Sequence, residues 1–120
     1  MLRFPSAIRI FFCTCAVDMR KGFDGLSAIA TEVMNQGPLS GHVFVFRNRR
    51  GDRVKVLYWD RDGYAIWYKR LEKGRFSTPS TDNTGQIDSR LLAMMLEGMD
   101  LKKLRKRPRY QLKKLTNKLI

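Results

Sequence analysis

His42-Val43-Phe44-Val45-Phe46-Arg47, Asn48-Arg49-Arg50-Gly51-Asp52, Arg53-Val54-Lys55-Val56-Leu57-Tyr58-Trp59, Asp60-Arg61-Asp62-Gly63 and Tyr64-Ala65-Ile66-Trp67-Tyr68-Lys69-Arg70-Leu71 follow one another without a break, and this stretch decides the fold. The first, third and fifth segments are rich in β-branched and aromatic residues, which favour extended backbone. The second and fourth hold Asn, Asp and Gly, which favour turns, and Gly63 is the expected site of a positive φ. Loops this short force antiparallel pairing, because parallel strands need a crossover of about a dozen residues. The stretch therefore predicts a meander with one face free for a helix.

Working outward, a strand is expected over Ile8–Phe12. Asp18 to Gly25 is rich in turn and cap residues. Leu26, Ile29, Ala30, Val33 and Met34 then recur at the spacing of an amphipathic helix. A helix over 24–36 follows, with Ile29 and Val33 on its buried face. Asp18 or Asp24 would serve as its N-cap, and Gly37-Pro38 would stop it. Downstream, Ser77 to Gly85 reads as a polar loop. A second helix passes through Leu91, Leu92, Met95 and Leu96, capped by Asp88 or Ser89 and ended by Gly98. The expected class is α+β: a small antiparallel β-meander packed against an amphipathic helix, with a C-terminal helix and a basic tail.

The chain has 120 residues, one domain's worth, and 43% of them are hydrophobic, enough for one modest core. Lys and Arg number 24 against 11 acidic residues, for a net charge of +13. The surplus is uneven: residues 100–120 hold nine of the basic side chains and one acid. We therefore expect a compact domain over 1–99 and a basic, partly helical extension over 100–120, where Leu112, Leu115 and Leu119 form an apolar seam. A balance this cationic favours nucleic acid, an anionic membrane or an acidic protein. Tyr110 is the tail's lone aromatic anchor, which disfavours the membrane. No run reaches the roughly 18 apolar residues of a membrane span. Ile8 to Val17 is broken by Arg9 and Thr14 and lacks a cleavage signal, so a cytoplasmic protein is expected. In that reducing setting Cys13 and Cys15 read as structural thiols, and His42 as a strand residue.

No catalytic constellation emerges. Asp18, Asp24, Asp52, Asp60 and Asp62 could supply metal-binding carboxylates for a small nuclease. All lie in turn-like sequence, where aspartate bonds to its own backbone. There is no nucleophile-plus-base pattern, no Walker loop and no G-x-G-x-x-G. No enzyme, cofactor or metal site is expected. Asp18-Met19-Arg20-Lys21-Gly22 could hold a phosphate at a helix start, but Asp18 and Asp24 oppose an anion, and a structural motif is the stronger reading.

The strongest physical signal is basic residues interleaved with aromatics. Arg47, Arg49, Arg50, Arg53 and Lys55 surround the first hairpin; Lys69, Arg70, Lys73 and Arg75 surround the last turn. Lys102, Lys103, Arg105, Lys106, Arg107 and Arg109 stud the tail. These are the candidate nucleic-acid contacts. Phe44, Phe46, Tyr58, Trp59, Tyr64, Trp67 and Tyr68 could stack bases on an open sheet face, though a small sheet needs most of them as core.

Val17-Asp18-Met19-Arg20-Lys21-Gly22-Phe23-Asp24-Gly25-Leu26 resembles the D-M-R-K-G-x-D-G-L signature of the TnpB-type accessory protein, encoded by the second reading frame of bacterial insertion sequences of family 66. Ser40 to Asp52 resembles its S-G-x-x-F-V-F-x-x-R-x-G-D, and Lys55 to Gly63 its K-x-L-x-W-D-x-x-G. Trp67 to Phe76 resembles W-Y-K-R-L-E-x-G-x-F, and Leu96 to Asp100 resembles L-x-G-I-D. Cys13 to Ala16 and Val17 depart from the family's small residue, glycine and threonine there. The resemblance implies a bacterial transposition accessory protein acting beside a separate transposase, with Asp18, Met19, Arg20, Lys21, Gly22, Asp24 and Gly25 as its family motif. The expected function is non-enzymatic binding of DNA, the transposase or both, with RNA as a further possible partner. The alternatives are the small nuclease above and a protein-interaction module that binds no nucleic acid.

Overall fold

The computed structural model describes residues 4, 5, 7–35 and 41–101. The elements run in the order β1 (Ile10–Phe12), α1 (Phe23–Glu32), β2 (Val43–Arg47), β3 (Arg53–Asp60), β4 (Gly63–Arg70), β5 (Gln86–Ile87) and α2 (Ser89–Leu96). The strands form one sheet in the order β4-β3-β2-β1-β5. The meander is β2-β3-β4, antiparallel throughout, with Val45 opposite Val56 and Val56 opposite Trp67. β1 extends it in parallel to β2, Ile10 facing Val43. The segment containing α1 supplies the long crossover that a parallel pair requires. β5 closes the far edge antiparallel to β1, and its two residues are too short to show a period in sequence.

Both faces of the sheet are covered, where the sequence predicts one. Alternation along β2 and β3 sends Val43, Val45, Val54 and Val56 to the α2 side with Leu92, Met95 and Leu96. The same alternation sends Phe44, Phe46 and Leu57 to the α1 side with Leu26 and Ala30. A sheet packed on two sides needs apolar residues at consecutive positions, and Val43-Phe44-Val45-Phe46 is buried without interruption. Phe76 and Leu101, outside all these elements, complete the α2-side core.

α1 departs from its expected span. It ends at Glu32, and the Val33 and Met34 amides both donate to the Ile29 carbonyl, at 2.9 and 3.2 Å. Asn35 then takes a φ of 55°, which turns the chain away. Val33 is consequently 57% exposed, and Ile29 is only partly buried. The buried stripe is Leu26 and Ala30. The expected stop at Gly37-Pro38 lies outside the described residues. Neither Asp18 nor Asp24 caps the helix: the N-cap is Gly22, with no side-chain bond. Asp24 instead lies in the first turn, where its charge complements the helix dipole.

α2 follows its sequence closely. Asp88 accepts a 2.7 Å hydrogen bond from the Leu91 amide. At the other end the Gly98 amide reaches Met95 O, and Met99 reaches Met94 O, with Gly98 at φ 80°. That pair of bonds is a Schellman cap, for which glycine is suited. In the β3–β4 turn the positive φ falls on Arg61, at 58°, rather than on Gly63. His42 lies just ahead of β2; its Nδ1 accepts from the Arg9 amide at 3.3 Å. Burial, then the Arg9 charge, lowers its pKa. Cys13 is a buried free thiol, its pKa raised mainly by that burial, whereas Cys15 is exposed and packs no core, against expectation. Among the described residues no helix is long and apolar enough to cross a membrane.

Candidate nucleic-acid interface

One buried cation ties the loop ahead of α1 to β3, the strand that leaves the first hairpin loop. Alternation along β3 points Lys55 to the α1 side of the sheet, where it is 9% exposed. Its ammonium donates to the carbonyl oxygens of Met19 at 2.7 Å and Lys21 at 2.8 Å. A buried charge is tolerated only with such partners. Lys55 therefore pins the signature loop, Asp18 to Gly22, to β3.

That loop is shaped by its own residues. Asp18 accepts from the Arg20 amide at 2.8 Å and from its guanidinium at 2.7 Å. These bonds pull the Asp18 carboxyl down to about 2. Met19 is buried, and the Val17 amide donates to Arg47 O at 3.0 Å, laying the loop along the end of β2. Asp18 is thus paired rather than opposed to an anion, and the Arg20 side chain stays 91% exposed.

The facing loop, 48–52, is organised by Asn48. Its Oδ1 accepts from the Gly51 and Arg53 amides, at 2.9 and 3.0 Å, and its Nδ2 donates to Asp52 at 2.8 Å. Gly51 is buried at φ 83°, with the Arg47 guanidinium filling the space a Cβ would need. The chain doubles back tightly here, and Arg49 and Arg50 are left in solvent.

Between the loops lies an open groove of about 600 Å³, walled by Ala16 to Arg20 on one side and by Asn48, Arg49, Arg50 and Arg53 on the other. Four arginines face one carboxylate, Asp18, which Arg20 already pairs. Asp52 lies 4.0 Å from Arg50 but outside the groove lining. Guanidinium groups in this density suit the tetrahedral oxygens of phosphate, which they bind in bidentate fashion.

The other predicted cations divide. Arg47 donates to Phe76 O at 2.9 Å, and burial, then the Arg75 charge, lowers its pKa. Lys69 donates to Leu96 O at 3.1 Å, at the C-terminal end of α2. Both hold one segment of the fold against another. Arg70 pairs with Glu72 at 3.0 Å. Lys73 and Arg75 are exposed on the loop after β4, where Arg75 and Arg50 share a smaller hollow of about 250 Å³. The tail residues Lys102, Lys103, Arg105, Lys106, Arg107 and Arg109 lie outside the described residues. Sequence reasoning missed Arg20 as a partner of the hairpin arginines, because nothing local places residue 20 beside residue 50. It also missed Asn48, although Asn48 to Asp52 carries the turn chemistry that gives it its role.

The IS66 Orf2-like protein family matches this chain over residues 8–106. Two uncharacterized proteins of Sinorhizobium fredii (strain NBRC 101917 / NGR234) are similar to it along most of their length. One, y4hO, is 38% identical over 101 residues, covering 83% of this chain and 88% of its own. The other, y4jC, is 32% identical over 102 residues, covering 84% and 87%. No solved structure matches. With its signature residues forming one wall of the arginine groove, the chain belongs to the IS66 Orf2-like family of insertion-sequence-associated accessory proteins.

Proposed function

We propose that the protein is a non-enzymatic accessory factor of transposition that binds the DNA of its insertion sequence through the groove between the signature loop and the first hairpin. One observation carries this reading: Arg20 of the signature loop and Arg49, Arg50 and Arg53 of the first hairpin line a single open groove. A chain at +13 has the overall field to bring a polyanion to it. Two of the five turn aspartates, Asp18 and Asp52, are taken up by Arg20 and Asn48, which supports the non-enzymatic part. The transposase of the same element is the second partner, acting beside the DNA rather than in place of it.

The test is a binding titration of the intact chain against insertion-sequence end duplex, unrelated duplex and purified transposase. The expected result is salt-sensitive binding to duplex DNA without cleavage. Tight binding to the transposase with none to either duplex would make this a protein-interaction module. Cleavage that a chelator abolishes would make it a nuclease.

A further inference from the structure

Tyr68 is an exposed aromatic side chain of the sheet held against a buried cation. It lies on β4, the edge strand, directly opposite Lys55. The Lys55 ammonium stands 4.7 Å from its ring centroid, itself fixed by the Met19 and Lys21 carbonyls. The Tyr68 hydroxyl accepts from Arg53 Nη1 at 3.4 Å, and Arg53 is part of the groove wall. The ring is therefore held against a cation and tied at its rim to the groove, yet the residue is 47% open to solvent. A tyrosine serving only the core would be covered.

An immobilised, uncovered ring beside phosphate-binding arginines has the parts of a single-strand binding surface. Such surfaces pair a cationic track for the backbone with an aromatic ring on which an unpaired base stacks. The cation beside the ring holds it in place before the base arrives, so little side-chain freedom is lost on binding. In a duplex the base faces are already stacked on one another, so this ring favours unpaired bases. We infer that the groove and Tyr68 together bind single-stranded DNA, the backbone lying along Arg20, Arg49, Arg50 and Arg53 and one base stacking on the tyrosine. The inference rests on the proposed DNA-binding role of the groove and adds a single strand, held by Tyr68 as well, to the duplex that the arginines bind. Membership of an insertion-sequence family favours DNA over RNA as the strand.

Trp59 provides the contrast. It is 39% exposed, but it sits at the turn end of the β3–β4 hairpin opposite Tyr64, whose ring lies 5.1 Å away edge-on. Its indole Nε1 donates to Arg61 O at 3.0 Å, within the turn itself, and Arg61 is not among the groove-lining residues.

The experiment uses the full chain and a short single strand carrying 2-aminopurine, whose fluorescence falls when it stacks. The intact protein should quench the probe. Tyr68→Ala should abolish the quenching and weaken single-strand binding about tenfold, as removal of one stacked base does, while the matched duplex binds as before. Tyr68→Phe should keep the quenching, and Trp59→Ala should change neither. Absence of quenching by the intact protein overturns the inference without any substitution, so a Tyr68→Ala chain that fails to fold leaves the test decisive. Equal losses on single strand and duplex, or none, also overturn it while leaving the groove reading in place. Tighter binding of the same sequence as RNA overturns the choice of DNA. Failure to bind any nucleic acid overturns both readings.

Discussion

Lys55 ties the signature loop to β3 through a single ammonium. In the sequence it is one of five cations around a hairpin; in the fold it is buried with its ammonium on two carbonyls. Lys55→Ala strands those carbonyls, and unfolding by urea should show a loss of about 2–3 kcal/mol. An unchanged midpoint with weakened DNA binding would instead return Lys55 to the phosphate contacts. Asp18 makes a second residue-scale prediction. Its carboxyl is held at about 2 by the hydrogen bonds from Arg20. A depressed folded-state value means that its contribution to stability is present above the ordinary carboxylate range and fades as pH falls toward 2. A carboxyl-detected NMR titration should place its midpoint there, and Arg20→Ala should move it up. A midpoint in the ordinary range in the intact protein would remove the pair.

At the scale of elements, the strands of the meander and the second helix were legible, and the first helix was legible in kind but not in length. Val43-Phe44-Val45-Phe46 and the turns around it carry enough local chemistry to fix extended backbone and antiparallel pairing. α2 carries its own start and stop in Asp88 and Gly98. Helix periodicity, by contrast, continues past Glu32 through Val33 and Met34, and only the tertiary turn at Asn35 shows that these lie outside α1. The consequence is measurable. Leu26→Ala, at a fully buried position, should cost about 2–5 kcal/mol. Val33→Asp, at a 57% exposed one, should leave the thermal midpoint nearly unchanged. The reverse order would restore the longer helix.

At the scale of the whole molecule, the apolar run Val43 to Phe46 is a local sign of two-sided burial, whereas the parallel placement of β1 and the pairing of β5 depend on contacts between distant segments. Local composition does not encode them. The groove was hidden for the same reason, since its walls are written about thirty residues apart and meet only because Lys55 and the end of β2 bring them together. The basic tail remains an expectation of sequence. Leu101 belongs to the core, so a cut that tests the tail removes 102–120 and spares it. Circular dichroism should then show an intact body, and the salt dependence of DNA binding should flatten; an unaltered dependence would point the tail at the transposase.

The central claim, that Arg49, Arg50 and Arg53 hold phosphates, is tested most directly by the salt dependence of duplex binding in the full-length chain with all three replaced by alanine. Each phosphate released on duplex DNA changes the log–log slope by about 0.9, so the slope should fall by about two to three units relative to the intact protein. A slope and affinity equal to those of the intact protein, with the fold preserved, would contradict it.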